Sequence, residues 1–312
     1  MISNNDMLKI LNNTNYKAIV MVGDIYQIES IQYGNWFQIC SRYFKSGISY
    51  ELEMTHRTSD EDLLELWKCV RNNDKRAISI MSNKEYSEDI SKNIFIKTVG
   101  EEIILCLNYD GVYGINNINR VMQNFNKNKE YIFGVDVFKV DDPVLYNDCP
   151  RFNGFFHNNL KGIIKNIEED EKSIWFSIEV DKNAINKMFI PEDIQLIECD
   201  NDDKIIIRFN VNEFRDRDDD EDEYDYIIPF NLSYAISIHK AQGLEYDSVK
   251  VVITSNVEDR ITKNIFYTAI TRAKKYLKVY WSPDSQERIF NGFDKKESKR
   301  DLGILNQKIK NK

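Results

Sequence analysis

Donors and cations suited to holding an anion stand at four places in the sequence, each beside the boundary of a predicted element. Gln27 follows an apolar run, residues 16–24 (YKAIVMVGD), which reads as a buried parallel strand closed by Gly-Asp. Loops at the carboxyl end of such strands are where open α/β sheets take ligands. Arg57 sits on the loop just before a helix predicted over residues 58–71, free to reach a ligand. Ser237 stands where a short helix is expected to begin, so its hydroxyl and the first amides make a phosphate site, with His239, Lys240 and Gln242 adding side-chain donors. Arg272 falls on a helix predicted over residues 262–274, on the face opposite Ile265, Phe266, Ala269, Ile270 and Ala273, which it shares with Thr268 and Lys275. Read alone, such an arginine belongs to a solvated helix face. Read with the others, it is a cation placed to act across a cleft.

The elements that must position these residues alternate between strand and helix. Residues 50–54 read as a short strand, and residues 58–71 as a helix carrying Leu63, Leu66, Trp67 and Val70 at helical spacing, with Thr58 and Glu61 spaced as a capping box. Residues 103–107, then Gly111 and Gly114, then residues 115–125 read as strand, glycine loop and helix. From residue 131 to about 209 the pattern changes to short β runs parted by polar turns, as for a small barrel inserted into an α/β domain. Eight of the ten residues at 216–225 are Asp or Glu, a density that favours a solvated loop over packing. The α/β pattern then resumes: strand 248–254, helix 262–274 and strand 276–281 form a βαβ unit whose crossover should be right-handed. Residues 296–312 read as a polar, basic tail.

Composition narrows the class. The 312 residues are 42% apolar and 30% charged, which suits an ordered globular chain of two to three domains. The formal charge of −9 argues against coating nucleic acid by bulk attraction but permits a narrow basic groove. Five cysteines lie at separations of 29, 37, 43 and 50 residues, without the close pair that half a zinc site needs, so no metal centre is expected. No apolar stretch is long enough to span a membrane and the amino terminus lacks a signal layout, so the expected location is cytoplasmic, with no membrane partner.

Three blocks, Val22-Gly23-Asp24-Ile25-Tyr26-Gln27, Ser237-Ile238-His239-Lys240-Ala241-Gln242-Gly243-Leu244-Glu245-Tyr246 and Tyr267-Thr268-Ala269-Ile270-Thr271-Arg272-Ala273-Lys274, occur in the order of motifs III, V and VI of superfamily 1 helicases, which they resemble. The last block is most similar to the RecD-like, 5′-to-3′ branch. Residues 52–57 (LEMTHR) look like motif IV, and residues 153–154 and 161–164 resemble the strand-turn pattern of the SH3-like subdomain of RecD-like helicases.

The resemblance implies an α/β, RecA-like parallel sheet with an inserted SH3-like small β-barrel. The implied boundaries are 1–50 for the end of a first RecA-like domain, 51–130 and 226–295 for the two parts of a second, 131–225 for the insertion with its acidic loop, and 296–312 for the tail. It implies ATP with Mg²⁺ as cofactor, single-stranded DNA as partner, and Arg272 as an arginine finger with Arg57 and Gln27 as further γ-phosphate contacts. Gly243 and Glu245 would lie near the ribose, and Ser237, His239, Lys240 and Gln242 would touch the DNA backbone. Trp36 follows motif III, where the family can place aromatics against bases.

No GxxxxGK[ST] occurs, nor a Walker B acidic pair before motif III, and the opening residues look like those just past Walker B. The expectation is a carboxyl-terminal portion of a helicase, inactive alone, whose amino-terminal RecA-like domain carries the metal ligands in cis or on another chain. Gln27 is followed by Ile28-Glu29-Ser30, where relatives usually have Leu-Pro-Pro. The alternative is a non-enzymatic nucleic-acid or protein-binding module on a helicase scaffold.

Overall fold

The computed structural model of the chain describes residues 2–29, 36–43, 50–52, 55–98, 100–213 and 225–293. In chain order these form helices α1 (Asn4–Asn13), α2 (Trp36–Tyr43), α3 (Glu61–Arg71) and α4 (Arg76–Asn83), then strands β1 (Ser87–Glu88) and β2 (Glu102–Cys106). Helix α5 (Ile115–Phe125) follows, then β3 (Glu130–Phe133), β4 (Asp136–Lys139), β5 (Pro143–Tyr146), β6 (Lys161–Glu169), β7 (Ser173–Asp181), β8 (Gln195–Glu198), β9 (Lys204–Asn212) and β10 (Phe230–Leu232). The chain ends through β11 (Ala235–Ser237), β12 (Tyr246–Val252), α6 (Lys263–Ile270), β13 (Ala273–Tyr280) and α7 (Pro283–Gly292). Two compact units result, residues 1–108 with 237–312, and residues 109–236. No described helix is long and apolar enough to cross a membrane.

The first unit is built on strands ordered β1-β13-β12-β2 across one sheet, all running parallel. Val249, Val251 and Val252 of β12 and Ile103, Ile104 and Leu105 of β2 are buried, as strands covered on both faces require. One charge is enclosed with them: Lys250 donates to Glu102 at 3.1 Å and to the carbonyls of Ile94 and Ile96, so a buried ammonium is fully paired. Helix α3 buries Leu63, Leu66, Trp67 and Val70 as their spacing predicts. Its cap is Asp60, which accepts from the amides of Asp62 and Leu63, and not the Thr58–Glu61 box. The Thr58 hydroxyl instead donates to the Lys274 carbonyl at 2.6 Å, because Asp60 already takes the free amides of the first turn.

Behind α6, Glu258 is 7% exposed and accepts from Ser285 and from Arg288 Nη1. These bonds hold its carboxyl below the ordinary value of about 4.5. A depressed carboxyl adds stability above its unfolded pKa and loses it as pH falls through the folded one. Glu258→Gln is therefore expected to lower the melting midpoint at pH 7 and to flatten its decline below about pH 5. Parallel melting curves for the two proteins from pH 7 down to pH 3 would overturn this.

Two strand expectations do not hold. Residues 16–24 form no strand: Val20 is 86% and Val22 89% exposed. Residues 50–52 form no strand either, with Tyr50 86% and Leu52 90% exposed, while residues 53–54 lie outside the described residues. An apolar run becomes a strand only where a neighbouring strand takes up its backbone donors and acceptors, and none of the described strands does so here.

The second unit carries an antiparallel six-stranded sheet ordered β10-β5-β6-β7-β9-β8 and a separate β3-β4 hairpin. In β9 the burial alternates strictly, with Ile205, Ile207, Phe209 and Val211 turned inward. They meet Phe138, Tyr146, Phe152, Phe176 and Phe230 in a core of mutually edge-on rings. Gly162 of β6 is required there, since a Cβ would come within 2.5 Å of Ile178 Cγ2. A buried carboxylate, Asp142, fastens α5 to these strands: it accepts from Gln123 (2.6 Å), Asn126 (2.8 Å), the Tyr234 hydroxyl (2.8 Å) and the Lys139 amide (2.9 Å). Of the acidic run only Asp225 is described, paired with Asn212 through main chain and side chain; the remainder, and the tail 296–312, lie outside the described residues. All five cysteines are free thiols.

Candidate functional site

The carboxyl end of α6 organises the site. The helix predicted over residues 262–274 stops at Ile270, is capped at Thr271 and passes directly into β13 at Ala273. Arg272 therefore occupies the two-residue corner between helix and strand. It is 0% exposed, and Thr268 is also 0% exposed, so the solvated helix face to which a lone arginine would be assigned is not where Arg272 lies. The last turns of the helix are buried, with Phe266, Ala269 and Ile270 enclosed together with Thr268, so the polar side chain there turns inward to meet a defined partner. Arg272 Nε donates to the Thr268 carbonyl (2.9 Å), Nη1 to the Leu244 carbonyl (2.9 Å) and Nη2 to the Thr271 hydroxyl (3.1 Å). Burial, helped by the positive charge of Arg57, lowers its pKa to about 10 against the pull of Asp24, Tyr267 and Glu245. The guanidinium remains charged at neutral pH and is locked in one orientation.

Arg57 reaches the same corner from a segment more than two hundred residues away in sequence. Its Nη1 donates to the Thr271 carbonyl at 2.6 Å and its Nε to Glu245 at 3.1 Å. The other oxygen of Glu245 takes Lys274 Nζ at 2.9 Å. The bond from Lys274 and then that from Arg57 draw the Glu245 carboxyl below its ordinary range. Loop 55–60, the Leu244–Glu245 link and the start of β13 thus place Arg57, Arg272, Lys274 and Glu245 around one point.

Residues 24–28 dock beside this corner. Gln27 Nε2 donates to Asp24 at 3.3 Å within its own turn, and its carbonyl accepts from Asn264 of α6 at 3.1 Å. The Ile28 amide donates to the Thr268 hydroxyl at 3.0 Å, and Tyr26 lies under the Arg71 guanidinium at 4.2 Å. Thr268 is the joint: its hydroxyl holds the Gln27 segment while its carbonyl holds Arg272. The sequence placed Thr268 only on the helix face of Arg272 and gave no role to Thr271, Asp24 or Lys274. The usable signal was three polar residues, Thr268, Thr271 and Arg272, in an otherwise apolar stretch.

Ser237 ends β11 and residues 238–243 form hydrogen-bonded turns, not the short helix expected, because Gly243 at φ +87° breaks the helical path after one turn. Ser237 is buried and its oxygen accepts the Lys240 amide at 3.1 Å, so this amide is satisfied internally. Gln242 Nε2 points to the Ile28 carbonyl at 3.5 Å, and its Oε1 is buried with no hydrogen-bond partner. His239 is half-buried, and desolvation lowers its pKa, keeping the ring neutral at pH 7. Space around Gly243 is open, with nothing within 4 Å of where a Cβ would stand. Among the described residues no group of three or more His, Cys, Asp or Glu is placed to hold a metal ion.

Residues 232–280 match the family described as the UvrD-like helicase C-terminal domain, a stretch that includes Ser237, Glu245 and Arg272. Over 265 residues the chain is 23% identical to the RecBCD enzyme subunit RecD of Buchnera aphidicola subsp. Schizaphis graminum, covering 82% of this chain and 36% of that protein. Over 46 residues it is 44% identical to the RecD subunit of Mycolicibacterium smegmatis, covering 15% of this chain and 8% of that one. The chain thus spans about a third or less of the curated relatives it matches. Among solved structures it is similar to a Bacteroides Pif1 helicase in complex with ADP-AlF3 and single-stranded DNA, with 14% identity, 93% of this chain and 66% of that chain covered, and a TM-score of 0.48.

Proposed function

We propose that this chain, whose residues 232–280 match the UvrD-like helicase C-terminal domain, supplies the carboxyl-terminal motor portion of an ATP-dependent DNA helicase of the superfamily 1, RecD-like kind, moving 5′ to 3′. One observation carries this reading. Arg57 from one stretch, and Arg272 and Lys274 from another, come together beside the docked Gln27 turn, and such a donor set suits the charge that spreads over a transferred γ-phosphoryl group. In this reading Arg272 is the arginine finger, Arg57 and Gln27 sense the γ-phosphate, and Gly243 and Glu245 border the ribose. ATP brings Mg²⁺, whose ligands belong to a P-loop domain supplied in cis or by another chain, because no GxxxxGK[ST] occurs in these 312 residues.

Ser237, His239, Lys240 and Gln242 contact the backbone of single-stranded DNA in the same reading, and the block they form meets the nucleotide side through Leu244, whose carbonyl holds Arg272. Closing on ATP would then shift the grip on the strand, and hydrolysis would release it. The antiparallel sheet of the second unit is the SH3-like element of this assignment, and the location is cytoplasmic.

Two measurements on the purified 312-residue chain test it. A fluorescent single-stranded oligonucleotide should bind, and binding should weaken steeply with salt and in Lys240→Ala. ATP turnover should stay at the level of a contaminant-controlled blank. DNA-stimulated hydrolysis by the chain alone would overturn the incomplete-site assignment, and failure to bind any single strand at low salt would overturn the DNA role.

A further inference from the structure

Glu245 is surrounded in an unusual way. One carboxylate oxygen faces Arg57 Nε at 3.1 Å and the other faces Lys274 Nζ at 2.9 Å, while Arg272 is near enough for Arg57 to act on its charge. Glu245 is the most exposed member of the ion-paired set, with a side chain 43% accessible against 26% for Arg57 and 35% for Lys274. A phosphate group approaching from solvent would meet this carboxylate first. Carboxylate and phosphate both offer paired oxygens to the same forked donors, so they compete for one place.

Arg57 has a second anchor that does not involve Glu245, the 2.6 Å bond from Nη1 to the Thr271 carbonyl. Removing the carboxylate therefore leaves Arg57 in position. Lys274 differs: its main-chain carbonyl is held by Thr58, while its ammonium sits at the end of a flexible stem that can turn to a new anion.

We infer that Glu245 is a resident counter-ion that keeps Arg57 and Lys274 side by side and is displaced by the terminal phosphates of a nucleoside polyphosphate, which makes Lys274 a further phosphate-binding residue. The inference rests on the nucleotide reading of the site. It accounts for three cations beside one carboxylate: the excess positive charge keeps the site receptive, and the carboxylate stops the cations from repelling one another while it waits. Once released, the Glu245 side chain is available to a ribose hydroxyl, so this role does not compete with that expectation.

Inorganic tripolyphosphate separates the counter-ion role from ribose recognition, since it has no ribose. Its affinity for the 312-residue chain should be measured by calorimetry at low salt and pH 7.5, with melting curves as a check on folding. Wild-type chain should bind, Glu245→Gln should bind about 10-fold tighter because a competing charge at contact distance is gone, and Lys274→Met should bind about fivefold more weakly. In the double variant most of the gain from Glu245→Gln should disappear. Unchanged or weaker binding by folded Glu245→Gln, with binding by the wild type intact, would overturn the counter-ion and leave the nucleotide reading standing. Unchanged binding by Lys274→Met would remove Lys274 from the phosphate site, and this arm stands even if Glu245→Gln does not fold. No binding of tripolyphosphate by any of the proteins would overturn both readings.

Discussion

Arg272→Ala, made in the complete ATP-hydrolysing protein, should lower kcat by roughly 10³-fold or more, the scale associated with loss of an arginine finger, and should lower Tm as well. The two effects have separate origins. The rate effect follows from removing a positive charge held at a fixed orientation beside Arg57 and the Gln27 turn. The stability effect follows from full burial: alanine would leave the Thr268 and Leu244 carbonyls without this donor and a guanidinium-sized void at the helix-to-strand corner, a loss of about 3 kcal/mol.

Arg57→Ala provides the contrast. Arg57 is partly exposed and caps no buried group but the Thr271 carbonyl, so kcat should fall with little change in Tm. Steady-state rates normalised to folded protein, with melting curves alongside, distinguish the cases. If Arg272→Ala melts early but its folded fraction turns over at the wild-type rate, Arg272 is a structural bracket and the finger belongs elsewhere.

The second large effect concerns the other unit. Asp142→Ala should destabilise it by about 4 kcal/mol, because four donors, from Gln123, Asn126, Tyr234 and the Lys139 amide, lose an acceptor that is itself 0% exposed. Asp142→Asn should cost less, since it keeps one acceptor oxygen while turning an amide toward the remaining donors. Urea unfolding gives the size of the effect, and hydrogen exchange at the amides of β4–β6 gives its location. A shift below about 1 kcal/mol for the alanine variant would mean that solvent or relaxation satisfies those donors.

The helices and inner strands that carry these sites were legible wherever period and burial coincide. Leu63, Leu66, Trp67 and Val70 recur at helical spacing and do face the core, and the strands at 102–106 and 246–252 carry the apolar clusters Ile103-Ile104-Leu105 and Val251-Val252 and are paired on both sides. The same rule misled at residues 16–24. A run such as IVMV is strand-forming only in the presence of a partner strand, and hydropathy carries no information on whether that partner is there.

Residue types and spacing by themselves determined the resemblance of the 237–246 and 267–274 blocks, the alternation of strand and helix over 102–125 and 246–280, and the chemistry available: cations, an amide and a carboxylate suited to a phosphorylated ligand. Tertiary structure alone decided that Arg272 is a buried guanidinium at a helix-to-strand corner, that Thr268 joins it to the Gln27 turn, and that Glu245 stands between Arg57 and Lys274. The physical reason is distance along the chain. Periodicity reports which way a side chain faces on its own element, whereas these contacts join residues whose neighbours lie up to 240 positions away, and only the packing of one element on another sets what a polar side chain meets when it turns inward.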